Sequence, residues 1–138
     1  KIGNKVYGCD DCLSICPWNK FSSVTKEKRL LKKGFNKNLS FFLNFNEDKF
    51  NQYFLHSPIK RIGWIRFLRN IIIASGNSDD KKLIKYLIKL LKNNNPIIRG
   101  SCVWALFQLL EKKDKEKIKK KLSNETNGYV LFELSMFT

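Results

Sequence analysis

Three of the four cysteines lie within one stretch of eight residues, at Cys9, Cys12 and Cys16, and Pro17 follows the last of them. We call residues 9–17 the cysteine loop. Its spacing, C-x2-C-x3-C-P, is similar to the bacterial ferredoxin run C-x2-C-x2-C-x3-C-P with one cysteine missing, and in that run the last cysteine ligates the other of two clusters. The spacing therefore favours Cys9 and Cys12 as ligands of one [4Fe-4S] cluster and Cys16 as a ligand of a second.

Other interpretations of the cysteine loop remain open. A structural zinc site normally shows two ligand pairs, but His56 and Cys102 each stand alone in the sequence. A disulfide framework is disfavoured because the thiols are so closely spaced and nothing suggests export. A redox C-x-x-C motif would require a strand–helix context that the sequence lacks. A cubane cluster needs four ligands, so we expect the others upstream of Lys1, a first residue that is not methionine.

The composition suits one ordinary domain with a polyanionic partner. The chain has 138 residues and 43% hydrophobic residues, which argues against disorder. No apolar run is long enough to span a membrane, so we expect a cytoplasmic protein without a membrane partner. The formal charge is +15, which favours binding to nucleic acid. The alternative is that a Lys-, Asn- and Ile-rich composition produces this charge without a function.

The patterns predict a mostly α-helical fold. Aromatic residues at helical spacing follow a capping signal at Asn46, with Phe50, Tyr53 and Phe54 as core candidates. Further helices are expected from Pro58 to Gly76, after Ser78, after Asn95, and over residues 114–123. Residues 129–137 favour a helix, although their β-branched and aromatic content would also suit a strand.

Two of these helices align with each other. Pro58–Arg61 matches Pro96–Arg99 at an offset of 38 residues, a period that suggests HEAT-type helical repeats. Cys102 falls on the apolar side of its helix and is expected to be buried. We therefore predict the end of a ferredoxin-like 4Fe-4S domain over residues 1–22, a linker with short helices over 23–56, and a HEAT-like repeat domain over 57–138.

Four cations mark a candidate anion site. Lys60 and Arg61 fall in the first turn of the predicted helix, where the dipole disfavours cations and unpaired N–H groups suit phosphate. Arg66 and Arg69 continue the positive charge. Trp64 could stack on a base, although a core position is the simpler interpretation. The alternative for Arg61 and its repeat equivalent is pairing with acids of the preceding helix.

The motifs together resemble one family. The stretches YGCDDCLSICPWNKF, SPIKRIGWIRFLRNIIIASGN and NPIIRGSCVWALFQL are similar, in order and spacing, to the C-terminal part of the epoxyqueuosine reductase family. The resemblance implies reduction of epoxyqueuosine to queuosine at the wobble position of tRNA, with cobalamin and two [4Fe-4S] clusters. It also implies an N-terminal cobalamin domain that carries the proton donor, so no catalytic residue is assigned in this chain.

The resemblance implies roles for particular residues. Cys9 and Cys12 would ligate one cluster and Cys16 the other, and the backbone around Cys9 and Asp10 would lie close to the cobalamin. The simplest role of Asp10 and Asp11 is hydrogen bonding within the loop. The HEAT-like domain would help to hold tRNA through the four cations, an external donor would supply electrons, and the protein would be a monomer.

Two alternatives to this function come from other classes of protein. The first is a ferredoxin-like electron carrier with a helical tail, which predicts no affinity for RNA. The second is a HEAT-like RNA- or protein-binding module without catalysis, which predicts no cluster. This chain alone is expected to be inactive as a reductase.

Overall fold

The computed structural model describes residues 3, 5–8, 10–24, 26, 27 and 37–136. Within these residues the chain is helical and contains no strand, so the mostly-α prediction is confirmed. Short 3₁₀ segments occur at Pro17–Phe21, Pro58–Ile62 and Lys81–Leu83. The α-helices are α1 (Asp11–Ser14), α2 (Leu39–Leu43), α3 (Glu47–Tyr53), α4 (Trp64–Gly76), α5 (Ile84–Leu90), α6 (Pro96–Leu109), α7 (Lys112–Lys121) and α8 (Gly128–Ser135). None of the described helices is both long and apolar enough to cross a membrane.

Helix α6 lies at the centre of the fold and packs against α4, α5, α7 and α8. It is buried around most of its circumference, with Ile98, Cys102, Val103 and Leu106 fully inaccessible to solvent. A helix that is apolar on all sides can be stable only when neighbours surround it. The predicted burial of Cys102 is confirmed, and this burial raises the pKa of its thiol.

The packing of α4 against α6 depends on Gly76. A Cβ atom at this position would lie 2.7 Å from Cζ3 of Trp104 and 2.9 Å from Cα of Ala105. The second distance involves backbone, which cannot move aside as a side chain can. Glycine is therefore the residue that allows the two helices to approach so closely.

Aromatic side chains fill the space between α2, α3 and α4. Phe50 and Phe54 are each 1% exposed, as predicted, whereas Tyr53 is 40% exposed at the rim. Phe67 of α4 contacts both buried rings, with centroids 5.1 and 5.0 Å away. Trp64 also packs on Phe50, at 5.7 Å, which supports its core position. Such tilted and edge-to-face contacts add to the stabilisation from burial alone.

The predicted caps are present, but one predicted helix is wrong. Asn46 Oδ1 accepts the Lys49 N–H at 2.9 Å, and Asn95 Oδ1 accepts the Ile97 N–H at 2.9 Å.

The single helix expected from Pro58 to Gly76 is instead a 3₁₀ segment followed by α4. Between them Gly63 adopts φ 77°, a left-handed conformation that glycine tolerates and that ends the first segment.

The segment for which a helix and a strand were both considered is helical over Gly128–Ser135, and residue 137 lies outside the described residues. Asn127 Oδ1 accepts the Tyr129 N–H at 3.1 Å and so caps α8. Val130 of α8 is fully buried, and the helix packs on α6. Tertiary packing thus overrides the strand propensity of the local sequence.

Candidate functional site

The structure describes two of the three clustered cysteines. Cys12 lies in α1 and is exposed, and Cys16 is half-buried directly before the 3₁₀ segment that begins at Pro17. Neither thiol forms a disulfide. Cys9 lies outside the described residues, so its predicted pairing with Cys12 at one cluster stays a prediction.

The acidic residues of the loop have structural contacts. Asp10 is left-handed, with φ 53°, and its carbonyl accepts the N–H groups of Leu13 at 3.0 Å and Ser14 at 2.9 Å. The Asp11 carboxylate forms an ion pair with Lys5. These contacts hold the start of α1 and agree with a role in shaping the loop.

Asn70 of α4 and Asn77, which follows the last residue of α4, hold the N-terminal segment (residues 3 and 5–8), which leads into the cysteine loop. Asn70 Nδ2 donates to the Val6 carbonyl at 2.9 Å, and Asn77 Nδ2 donates to the Gly3 carbonyl at 2.9 Å. Positions 70 and 77 are about two helical turns apart, and Asn77 keeps a helical backbone conformation at the C-terminal cap of α4, so the two side chains lie on the same side. Tyr7 adds a longer hydrogen bond to the Pro58 carbonyl, at 3.4 Å. Neither asparagine could be identified from the sequence, because nothing in the local pattern marks a partner so distant in the chain.

The two described cysteines of the cysteine loop are suitable as part of the thiolate ligands of an iron–sulfur cluster. Thiolates are the usual protein ligands of iron–sulfur clusters, and Cys12 and Cys16 are open to solvent at least in part. Among the described residues, no three His, Cys, Asp or Glu side chains come together as a metal site. Cys102, fully buried in α6, is not available to complete one. A four-ligand cluster at Cys12 and Cys16 would therefore need ligands outside the described residues, among which is Cys9.

The four predicted anion-binding cations separate into two pairs. Lys60 and Arg61 are exposed in the last turn of the 3₁₀ segment, not in the first turn of an α-helix. The inference from an unfavourable helix dipole is therefore wrong for them. Arg66 does lie in the first turn of α4, where that inference holds, and Arg69 follows one turn later.

Arg66 and Arg69 line a surface groove, whereas Lys60 and Arg61 are not among its lining residues. The larger part has a volume of about 630 Å³, and an adjoining part of about 200 Å³ shares Arg69 and Tyr129 with it. We call both parts together the arginine groove. The larger part is lined by Tyr7, Gly8, Ile62, Ile65, Arg66, Arg69, Asn70, Ile97 and Tyr129, and the smaller by Arg69, Ile73, Ser101, Trp104, Tyr129 and Glu133. The groove thus begins at the residues that precede Cys9.

Arg99 has a partner, but not on the preceding helix as the alternative interpretation supposed. Its Nε and Nη2 donate to both carboxylate oxygens of Glu125, at 2.7 and 2.9 Å, and Nη1 donates to the carbonyls of Asn93 and Asn94. The hydrogen bonds from Arg99 lower the pKa of Glu125 to about 2. This bidentate pair joins the start of α6 to the segment before α8. Arg61 has no ion pair with any described residue, so the two arginines of the aligned segments differ in role.

The fold and site define an α-helical domain in which α4 holds the segment before a cysteine loop and lines an arginine-containing groove. No family model matches the chain. It is 36% identical over 115 residues to epoxyqueuosine reductase of Salmonella typhimurium, covering 82% of this chain and 30% of that protein. The corresponding protein of Yersinia pestis is 34% identical over 123 residues, covering 88% and 30%, and that of Francisella cf. novicida is 39% identical over 111 residues, covering 77% and 31%.

A solved structure gives the same relationship. The crystal structure of selenomethionine-labeled epoxyqueuosine reductase matches 99% of this chain with a TM-score of 0.80 and 26% identity, over 38% of its own length. This chain is therefore homologous to a part of epoxyqueuosine reductase, and it spans about 30% of the length of the curated relatives it matches.

Proposed function

We propose that this chain acts as the cysteine-loop and RNA-holding part of an epoxyqueuosine reductase, the enzyme that reduces epoxyqueuosine to queuosine at the wobble position of tRNA. The similarity in three dimensions over 99% of the chain carries this proposal. In domain terms, residues 1–22 would end a ferredoxin-like domain, residues 23–56 would link it, and residues 57–138 would form a HEAT-like repeat domain. The chain would work in the cytoplasm as part of a monomeric enzyme.

Cys9 and Cys12 would ligate one [4Fe-4S] cluster, and Cys16 would ligate the other. When bound, such clusters carry single electrons, here from an external donor toward cobalt. The residues of this chain keep the thiols in place. Asn70 and Asn77 fix the segment before the loop, and the Asp10 carbonyl accepts the N–H groups that begin α1.

Cobalamin would be held mainly by the larger part of the reductase, with the backbone near Cys9 and Asp10 against it. The exposed, left-handed backbone of Asp10 supports this contact. The side chain of Asp10 lies beside Gly8, where a Cβ atom would be 3.5 Å from Oδ1. A side chain at position 8 would therefore reach the atoms that flank Cys9. No proton donor is assigned to this chain.

The tRNA would be held by its phosphates at Lys60, Arg61, Arg66 and Arg69. All four side chains are exposed, and the chain carries a formal charge of +15. Each neutralised phosphate releases condensed counterions, so affinity should fall steeply as salt rises. Because Arg66 and Arg69 line the same groove, these two are the stronger candidates for phosphate binding.

Iron content tests the cluster assignment. The longest reading frame that contains this chain, expressed anaerobically, should bind about eight irons as two four-iron clusters. Cys9→Ser or Cys12→Ser should remove one cluster and leave the other. Cys102→Ser is the matched control and should keep both. Stoichiometric zinc in place of iron would contradict the assignment.

The arginine groove also favours a second candidate, an RNA-binding helical module whose cysteines hold no metal. That function requires only the helical domain, in which Arg66 and Arg69 lie. The same measurement separates the two candidates. Absence of iron in the anaerobic protein, together with retained tRNA binding, would favour the module over the reductase.

A further inference from the structure

The arginine groove presents aromatic surface as well as charge. Tyr7 is 37% exposed and Tyr129 is 40% exposed. The ring of Tyr129 lies on the backbone of α6, since a Cβ atom at Gly100 would be 2.5 Å from its Cε1 atom. The glycine thus lets the ring lie against the helix while part of it stays open to solvent. Exposed aromatic rings are the surfaces on which unpaired bases stack.

The charges of the groove suit a phosphate. Arg66 and Arg69 are exposed, and neither forms an ion pair with a carboxylate of the described residues. The larger part of the groove contains no acidic side chain, and Glu133 lines only the smaller part. Planar guanidinium groups without a carboxylate partner match the geometry of phosphate oxygens.

The larger part of the groove also has apolar lining. Ile62, Ile65 and Ile97 contribute to it beside the arginines and the tyrosines. The volume of about 630 Å³ is within the range of roughly 300–1,000 Å³ that small-ligand sites occupy. A ligand that matches this lining has an anionic group, an apolar face and a flat aromatic ring.

We propose that the arginine groove binds one unpaired nucleotide of an RNA, with its phosphate at Arg66 and Arg69 and its base against Tyr129. This inference rests on the proposed RNA-binding function and adds that the bound RNA has an unpaired nucleotide. Bases within an A-form duplex are stacked and their edges are poorly accessible, whereas nucleotides in loops can be splayed onto aromatic side chains. The groove therefore selects RNA with a single-stranded loop over fully paired RNA.

The test compares two labelled RNAs that differ in pairing. One is a hairpin with an unpaired loop, and the other is a blunt duplex of equal nucleotide number. The 138-residue chain should bind the hairpin more tightly. Tyr129→Leu should weaken hairpin binding about tenfold or more, because a stacking partner is lost, without changing the salt dependence. Tyr129→Phe keeps the ring and should bind as the wild type does.

Removing a charge from the groove should change the salt dependence of RNA binding, unlike the change at Tyr129. Arg66→Gln should weaken binding to both RNAs and reduce the slope of log affinity against log salt by about 0.7–0.9. Lys113→Gln, on the exposed face of α7, is the matched control and should have a smaller effect. A further measurement uses the unmodified chain and so does not depend on the folding of the variants. The hairpin, but not the duplex, should protect Tyr129 from nitration by tetranitromethane.

Three outcomes would overturn the nucleotide proposal. Equal binding of hairpin and duplex, with Tyr129→Leu unaffected and Arg66→Gln weakened, would reduce the groove to a phosphate contact and leave the proposed function intact. Failure of the unmodified chain to bind either RNA would remove the RNA-binding function itself. Equally tight binding of a free nucleoside monophosphate would replace RNA by a mononucleotide ligand.

Discussion

Replacing Asn70 by alanine should release the N-terminal segment without unfolding the helical domain. The change removes the 2.9 Å hydrogen bond from Asn70 Nδ2 to the Val6 carbonyl, which lies partly buried against α4. A hydrogen bond of this kind contributes about 0.5–1.5 kcal/mol. The segment is also held at Asn77, 74 residues along the chain from Gly3, so one substitution weakens the attachment without abolishing it.

Limited trypsin cleavage after Lys5 measures this attachment. Cleavage requires the segment to leave α4, and its rate follows the open population when closing is faster than cleavage. A loss of about 0.5–1.5 kcal/mol raises that population roughly two- to twelvefold. Mass spectrometry of the product that begins at Val6 gives the rate. The double variant with Asn77→Ala should be cleaved faster than either single variant.

The control for this experiment is Asn44→Ala. Asn44 Nδ2 also donates to a carbonyl, that of Ser40 at 2.8 Å, but this bond stays within the region of α2. It should leave cleavage after Lys5 unchanged. Equal cleavage rates in Asn70→Ala, Asn44→Ala and wild type would refute the anchoring role. A fall in the global unfolding midpoint that matches the faster cleavage would refute the claim that the release is local.

Three further predictions concern the helical domain. Gly76→Ala should lower the free energy of unfolding by about 1–3 kcal/mol through overpacking against α6, measured by urea denaturation, whereas Gly128→Ala, with no heavy atom within 4 Å of its added Cβ, should not. The ionised Glu125 side chain stabilises the fold fully above its unfolded pKa of 4.5, and this stabilisation should be lost as the pH falls toward its folded pKa of about 2. The free energies of unfolding of wild type and Glu125→Gln, measured against pH, should therefore differ most above pH 4.5 and become similar near pH 2. Iodoacetamide should alkylate Cys12 in the folded, metal-free chain but leave the buried Cys102 unmodified until denaturant is added; rapid labelling of Cys102 would contradict the packing of α6.

Local signals were sufficient for much of the fold. Asn46 and Asn95 cap helices as predicted, because an N-cap depends on a side chain and an N–H group two or three residues away. The break at Gly63 was missed. A glycine within an apolar helical pattern gives no indication that its backbone will adopt a positive φ, and the preceding proline and serine already supplied a start signal.

The contacts that assemble the candidate site are long-range, which is why the sequence could not predict them. The cysteine spacing is local and identifies candidate ligands directly. By contrast, Asn70 meets Val6 from 64 residues away, and Arg99 meets Glu125 from 26 residues away. No local pattern encodes either pairing. The aligned arginines also show that similar sequence at Pro58 and Pro96 does not ensure similar structure, because only the second begins an α-helix.

Helix α4 connects the two parts of the candidate site. Arg66, Asn70 and the C-terminal cap residue Asn77 follow one another at intervals of four and seven residues, so they lie along one side of α4. The same element therefore positions the segment that leads into the cysteine loop and the arginine groove that we propose for RNA. The position of α4 is in turn set by its close packing on α6 at Gly76. Because misplacement by about 1 Å can strongly reduce the rate of an enzymatic reaction, this packing would affect the rate of the reductase that we propose. Gly76→Ala should consequently alter both the cleavage of the N-terminal segment after Lys5 and the affinity for RNA. If Gly76→Ala changed only the stability, α4 would not couple the two parts.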